Sequence, residues 1–589
     1  MKKNILTAII LFFVTSIIYI ATAHPSVYIG DSGEIATATY FLGIAHSTGF
    51  PVYMLLAKLS SYALPFFEFA FRLNIFSALC AAATTGVLFL ILRKIKIDFW
   101  ASVAASLALS FGYAFWTHAG TIQVYSLTAL FFALSTFTLL HWLETGKDKY
   151  FYCLAIICGL GAGTHITFLL ILPFIFLFTL LKDKSLITIK RFLLFVAVAA
   201  ATYSYLPIRA RMSPEFNWGN PGTAENFINY ITQSDWSEKI GTRNSSSWVA
   251  MLKETGRLFV NEFTWLGFIF IFIGAVVASR KQKQFFYGGI LVVALNILLM
   301  GNYGNNQDIF ILWRYFLPSY IVMAIFLGMA FNWLSFFVPQ KAKIVFLVLP
   351  IIIFIFHFND LNNRNNTIVQ KTVQDIFAVL PQGSVFIADG DTVTGAALYE
   401  QKVLGKRNDL LILNDSWYTG AWYQEQEKKE MEEKNIKFAD NFSFLIKENS
   451  DRKFYALTNS NSFLKINYDF YPEGIIYLIK SKSDQVAPGD LKEKNFSIWE
   501  QYDLWILKDK KFKKDNFTNE IVSLYTGALN NLGAYLTNNG YVPDGIKYFD
   551  KSLEIRENKL ALYNLAGIYN ALGDKAKALE YKNRFDALK

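Results

Sequence analysis

Asp31 and Glu34 stand in Gly30-Asp31-Ser32-Gly33-Glu34, directly after the first long apolar run of the chain. Carboxylates at membrane depth are costly and rarely idle. A pair of them at a bilayer surface suits proton transfer on a substrate that is itself anchored in lipid. The same residues suit a plainer job, with Asp31 or Ser32 as the N-cap of a helix in a solvated loop. Residue type alone leaves both readings open.

The elements that must position this pair are mostly membrane helices. The chain has 589 residues, of which 53% are hydrophobic and 17% charged, with 55 Phe and 31 Tyr. That is too apolar for an ordinary soluble protein of this size. Long apolar runs fill residues 1–358, and the tail from 359 reads as water-soluble. About eleven spans are predicted, near 4–23, 72–93, 99–116, 121–143, 150–164, 165–181, 190–207, 258–279, 285–301, 314–337 and 342–358. The net charge of +10 does not indicate nucleic acid, because the Lys and Arg residues cluster in short loops between apolar runs. Cys80, Cys153 and Cys158 all fall in apolar runs and make no secreted-type disulfide framework.

The basic loops predict sidedness. Lys2 and Lys3, Arg93 to Lys96, Lys147 and Lys149, Lys182 to Arg191 (with Lys184 among them), Arg280 to Lys283, and Lys341 with Lys343 all fall on one side. The positive-inside rule makes that side cytoplasmic. The opposite side receives the loop 24–71, the loop 208–257 and the tail. The first apolar run, with Lys-Lys before it and Ala21-Thr22-Ala23 after it, resembles a signal peptide but is longer than a typical one, so an uncleaved span is expected.

Arg72, Arg209, Arg211 and Arg314 sit at the outer ends of their spans, against that rule. Guanidinium binds phosphate in a planar, bidentate fashion, so a lipid phosphate would offset them. Snorkelling to headgroups, or pairing with a loop carboxylate, is the alternative. In the first outer loop, residues 35–45 and 52–64 read as interface helices separated by His46-Ser47-Thr48-Gly49-Phe50-Pro51. That arrangement would gather Asp31, Glu34 and His46 around one shallow cavity. His46 suits a ligand, a phosphate donor or a core histidine. No cluster of metal-ligand spacing is evident, since His46, His118 and His165 are scattered, and no metal cofactor is expected.

An acid in the first outer loop, interface helices after it and a many-spanned body resemble the GT-C fold of polyprenyl-phosphate-sugar-dependent glycosyltransferases. Asp31-Ser32-Gly33-Glu34 with Leu42-Gly43-Ile44-Ala45-His46-Ser47-Thr48-Gly49-Phe50-Pro51 resembles the transmembrane protein 260 family. Further similar stretches are Phe71-Arg72-Leu73-Asn74, Phe115-Trp116 with Val124-Tyr125, Gly163-Thr164-His165, Asn217-Trp218-Gly219-Asn220-Pro221 and Arg314-Tyr315-Phe316-Leu317-Pro318. They add Asn74, His165, Trp218 and Tyr315 as pocket candidates. Two departures stand out. Ser47-Thr48 replaces a proline pair, which predicts a looser turn, and Gln123 replaces a Glu.

The resemblance implies transfer of a sugar, mannose in the animal member, from a lipid phosphate to Ser or Thr hydroxyls, with inversion and on the luminal side. Asp31 would be the general base, and the outer arginines would hold the phosphate leaving group. A retaining route would need a covalent nucleophile, a role open to Glu34.

In the tail, Val385-Phe386-Ile387-Ala388 and Leu410-Leu411-Ile412-Leu413-Asn414 flank a helical stretch near 393–403. Strand–helix–strand order predicts a small α/β domain over 359–520. Asp389-Gly390-Asp391 invites comparison with the Asp-x-Asp motif of nucleotide-sugar enzymes. A polar loop at a strand's C-terminal end carries such residues commonly, and that reading is preferred. From about 521 the chain is helical and repetitive: Asn531-Leu532-Gly533 recurs as Asn564-Leu565-Ala566, and Gly545 as Ala578. These resemble tetratricopeptide helical pairs, at one residue short of the usual period of about 34. They suit either an acceptor-protein site or a structural cap.

The expected architecture is therefore an all-α membrane bundle of the GT-C type (1–358), a soluble α/β domain (359–520) and tetratricopeptide-like helical repeats (521–589). The expected activity is glycosyl transfer from a polyprenyl-phosphate sugar to exported proteins, with the active site and tail outside a bacterial inner membrane. The alternatives are transfer to a glycolipid or cell-wall glycan, and a transporter or scaffold without catalysis. No inverted internal repeat is visible and the acids lie at the surface, both of which disfavour transport.

Overall fold

A computed structural model describes residues 2–182, 188–234, 239–304, 307–509 and 516–588; Lys184 lies outside them. The chain forms two compact units. The first comprises Met1–Val27 with Ala38–Asn366, and the second Tyr28–Thr37 with Thr367–Lys589. The short segment carrying Asp31 and Glu34 thus belongs with the C-terminal unit.

The first unit is a helical membrane bundle. Among the described residues, eight helices are long and apolar enough to cross a bilayer, including Lys2–Thr22, Phe69–Lys94, Tyr125–Thr145, Ile189–Arg211, Ser245–Lys281, Lys283–Gly301, Ile311–Leu334 and Gln340–Leu361. The other three predicted spans are helical but different. Helix Asp148–Ala162 has 15 residues, the apolar helix Ile166–Lys182 is also short, and Phe99–Ser110 with Tyr113–Ala119 is a pair bent by 68°. The bend has a local cause. Gly112 lies against the Glu262 carboxylate, which accepts hydrogen bonds from the backbone N–H groups of Ala114 (2.7 Å) and Phe115 (3.2 Å) and so caps the new helix.

Close helix packing uses small residues, as membrane bundles do. A Cβ on Gly274 would fall 1.8 Å from the Phe326 carbonyl oxygen, and one on Gly86 would fall 3.0 Å from that of Ala8. The predicted loop 208–257 is partly helical. Helices Tyr205–Arg211 and Ala224–Ile231 precede Ser245–Lys281, which has non-helical backbone at Thr264.

The second unit is built on a five-stranded sheet in the order β2-β1-β3-β5-β4. These strands are β1 Val385–Ala388, β2 Leu411–Asn414, β3 Phe454–Ala456, β4 Tyr468–Glu473 and β5 Ile476–Ser481. β1 runs parallel to β2 and β3, while β5 is antiparallel to β3 and β4. Every residue of β1, β2 and β3 is buried, which is why these strands read as continuous apolar runs. Helix Asp391–Leu398 follows β1. Four C-terminal helices, Asn516–Asn538, Val542–Ile555, Lys559–Ala571 and Lys575–Ala587, make two hairpins around Phe549, Ala561 and Leu565.

Candidate active site

Asp31 stands at the N-terminus of helix Ser32–Phe41, and its carbonyl accepts from the Ile35 N–H at 2.8 Å. The Ser32 hydroxyl accepts from the Tyr28 N–H at 3.0 Å. Glu34 lies in the first helical turn, where the helix dipole favours a carboxylate, and is buried. Asp31 and Glu34 offer carboxylate oxygens within 4.8 Å of one another. This helix was expected to lie in the membrane interface, but residues 32–39 are buried.

The acid segment is docked on helix Asp391–Leu398. The Gly30 N–H, at a positive φ of 66° that favours glycine, donates to Thr392 Oγ1 at 2.9 Å. A Cβ on Gly33 would sit 2.3 Å from the Gly395 carbonyl carbon, and one on Gly395 would sit 2.8 Å from the Glu34 nitrogen. The Tyr28 and Thr518 hydroxyls meet at 2.8 Å. The loop Asp389-Gly390-Asp391 therefore leads into a cradle that fixes the acid pair.

In the membrane unit, the turn at 46–51 is closed, with the Gly49 N–H donating to the His46 carbonyl at 2.8 Å. The loose turn expected from the missing prolines is not what forms. Ile44 instead pairs as a short parallel bridge with Asn217, and the Trp218 N–H donates to the Ile44 carbonyl at 3.1 Å.

From this turn a row of rings runs through the bundle. His46 meets Phe50 and Trp218 edge-on at 5.0 and 6.1 Å. Phe50 stacks on His165 at 6.1 Å, and His165 stacks on Tyr315 at 5.8 Å. Tyr125 stands edge-on to both His165 and Tyr315. His118 contacts Tyr125 and stacks on Trp313, each at 4.7 Å. The buried Arg314 lies over the Trp313 ring at 5.9 Å. His165 is itself anchored, since its Nδ1 accepts from the Thr167 N–H at 3.2 Å.

The four arginines divide. Arg72 donates to the carbonyls of Phe67 (2.6 Å), Pro65 (2.7 Å) and Ser61 (3.4 Å). Arg209 donates to those of Leu42 (2.7 Å) and Phe41 (3.0 Å), at the end of helix Ser32–Phe41. Arg211 is exposed and donates to the Gly222 carbonyl at 3.0 Å. These three guanidinium groups hold loops and helix ends, whereas Arg314 sits among the rings. Asn74 ties down the chain after the first helix by donating to the His24 and Ser26 carbonyls at 2.7 and 3.1 Å.

The sequence reading gave no site role to Tyr125, Trp313 or, above all, His118, which it named only as one of three scattered histidines. His118 is 2% exposed, and neither ring nitrogen has a hydrogen-bond partner among the described residues. A buried polar group left unmade is expensive, so such a group in a ring-lined cluster points to a ligand. The only sequence signal was its place between the Phe115-Trp116 and Val124-Tyr125 stretches.

Residues 31–188 match the model of the protein O-mannosyl-transferase TMEM260 N-terminal domain. The protein O-mannosyl-transferase TMEM260 of Mus musculus is 23% identical over 456 residues, covering 71% of this chain and 63% of that protein. Its counterpart in Dictyostelium discoideum is 20% identical over 484 residues, covering 72% and 59%. The chain thus spans about six-tenths of the length of these curated relatives. Among solved structures, ArnT from Cupriavidus metallidurans bound to undecaprenyl phosphate superposes with a TM-score of 0.52, at 11% identity, over 82% of this chain and 98% of that one. The chain is accordingly similar to the TMEM260 proteins, and it is a multi-pass membrane protein with a GT-C-type helical fold.

Proposed function

We propose that this protein is an inverting glycosyltransferase that moves a mannose-like sugar from a polyprenyl phosphate to Ser or Thr hydroxyls of exported proteins. The observation that carries the reading is the acid segment. The matched family region begins at Asp31, and a glycine-on-glycine contact holds that residue at a helix start. A serine hydroxyl is a weak nucleophile, so Asp31 takes its proton as the oxygen attacks the anomeric carbon. The bond from that carbon to the phosphate oxygen breaks, and the prenyl phosphate leaves with the bonding electrons. One displacement inverts the anomeric centre. Glu34 lies in the same turn, with its carboxylate within 4.8 Å of that of Asp31.

In the membrane unit, Arg314 takes the phosphate and its rising charge. Tyr125, Tyr315 and Trp313 offer faces against which a sugar packs, and His118, whose ring nitrogens have no hydrogen-bond partner among the described residues, supplies a hydrogen bond to it. His46, His165 and Trp218 shape the wall of this row. Arg72, Arg209 and Arg211 act through the loops they hold. The names of the curated relatives favour protein hydroxyls over a glycolipid or cell-wall glycan as acceptor.

We assign the basic loops to the cytoplasm of a bacterium, and the acid segment and C-terminal unit to the far side of its inner membrane. The soluble α/β domain then carries the cradle. A groove of about 520 Å³ lined by Thr537, Phe549, Tyr563, Asn564, Lys582 and Phe585, among the tetratricopeptide-like helices, suits an acceptor segment.

The test is transfer by the purified full chain in lipid nanodiscs, with a synthetic prenyl-phosphate mannose and a Ser/Thr-rich peptide. Mass spectrometry should find hexose on the peptide, and NMR an inverted anomeric centre. Turnover with retention, or transfer only to lipid or glycan acceptors, would overturn the assignment.

A further inference from the structure

Two broken helices of the membrane unit meet at one buried acid. Glu262 lies midway along Ser245–Lys281, is 1% exposed and belongs to no step of the proposed transfer. A carboxylate at this depth is costly and marks function. Both its oxygens are engaged by the bent pair: Oε2 accepts from the Ala114 N–H and Oε1 from the Phe115 N–H, where helix Tyr113–Ala119 begins. Gly112 leaves room for them, since a Cβ there would fall 2.2 Å from Oε1. Two residues past the acid, Thr264 takes a φ of 64°, which is costly for a β-branched residue. Backbone strain of this kind persists where neighbouring contacts fix it, and it clusters at functional sites.

The bent helix carries His118. Ala114 and His118 are a turn apart on the same helix face, so a shift at the first is felt at the second. The far part of the helix is locked. Trp116 Nε1 donates to Thr22 Oγ1 at 3.0 Å, and its ring stacks on Phe354 at 5.4 Å. The Gly120 carbonyl accepts from the His24 N–H at 3.1 Å, and the His118 carbonyl from the Ser126 hydroxyl at 2.9 Å. With that end tied, the Glu262 contact at the start sets the tilt of the helix. The tilt in turn decides where the imidazole stands against Tyr125 and Trp313.

We propose that Glu262 is a positioning residue of the donor pocket. By holding the start of helix Tyr113–Ala119 it sets where His118 meets the sugar, without touching the ligand itself. The inference rests on the reading of the ring row as the donor site.

The experiment is calorimetric titration of the purified full chain in nanodiscs with synthetic prenyl-phosphate mannose, no peptide being present. Glu262→Gln keeps the shape but sets an amide N–H₂ against a backbone N–H, and should raise the donor Kd about tenfold. Gly112→Ala leaves the acid unchanged but drives a methyl into its Oε1, and should raise the Kd likewise. In a His118→Phe background neither change should raise it further by more than about twofold, because effects that act through one residue do not add. Misfolding would lower the stoichiometry of binding and leave the Kd of the remaining sites alone, which separates a merely structural role. An unchanged Kd in a folded variant, losses that multiply with His118→Phe, or no donor binding by the wild-type chain would each overturn the proposal. Gly112→Ala retains the buried acid, so it stays informative if Glu262→Gln fails to fold. Donor binding without transfer would sink the proposed chemistry and leave this inference standing.

Discussion

The acid segment and the ring row are built in opposite ways. Around Gly30–Thr37, backbone groups and glycines are engaged: Gly30 with Thr392, Gly33 against Gly395, Thr37 Oγ1 donating to the Gly33 carbonyl at 2.8 Å. The row from His46 to Trp313 is ring against ring, with a buried imidazole, that of His118, whose nitrogens have no hydrogen-bond partner among the described residues. On the proposed function, the first region is complete without a ligand, and the second is not. Positioning a base calls for the former, because a misplacement of about 1 Å can cost about 10²-fold in rate. Receiving a sugar phosphate calls for the latter, because polar sockets must be empty until the ligand arrives.

The sharpest way to break this contrast is to change chemistry without changing shape. Asp31→Asn should lower kcat by about 10²–10⁴-fold with an unchanged melting temperature; full activity in a folded variant would remove the base. Gly33→Ala leaves both carboxylates in place but drives a methyl into the Gly395 backbone. It should cost about 1–3 kcal/mol or more of stability and, by shifting the acids, about 10²-fold in kcat. Normal turnover and normal stability together would show that the cradle does not matter.

How much of this could be read beforehand depends on the range of the interaction. Apolar runs announced the membrane helices, and Val385–Ala388 and Leu411–Asn414 announced two buried parallel strands, because burial on both faces leaves a continuous signal. β3 has three residues and too little length to show any period, so only the first two strands were expected. Asp31 and Glu34 stood out in the sequence as candidates for chemistry. Their cradle did not, since Gly30 and Thr392 are 362 positions apart. Four outward arginines looked alike in sequence. Backbone carbonyls, which carry no sequence mark, hold Arg72 and Arg209, while Arg314 lies over the Trp313 ring. His118 stood out only as one of three scattered histidines for the converse reason: its lack of hydrogen-bond partners among the described residues exists only once neighbours are in place.

In the ring row the contrast predicts a split between stability and activity. His118→Phe keeps the stack on Trp313 and removes a buried unsatisfied group, so the melting temperature should hold or rise. Loss of a hydrogen bond to the ligand should lower kcat/KM by about 10- to 100-fold. A destabilised variant with normal activity would reduce His118 to packing. Arg314→Lys keeps the charge but loses the planar fork, and should raise the donor KM about tenfold. Arg72→Lys should leave that KM alone and cost about 1 kcal/mol of stability, as its carbonyl contacts weaken. A raised KM in both would return Arg72 to the donor site.

The smallest effect separates scaffold from chemistry on acidification. In the C-terminal unit, Arg407 donates to both carboxylate oxygens of Asp409 at 2.9 Å, and this fork holds the Asp409 carboxyl down at about 2. With the folded value depressed below an unfolded value of about 3.9, the pair stabilises the unit fully above the unfolded value. Its contribution is lost as pH falls through about 2. Asp409→Asn should therefore lower the melting temperature slightly at neutral pH and flatten its decline between about pH 4 and 2. The pH dependence of kcat above that window should be unchanged, because the partners that hold Asp409 are Arg407 and the Gly383 N–H, outside the acid segment. A shifted kcat profile would tie the scaffold's titration to the chemistry and blur the division between a finished cradle and an unfinished pocket.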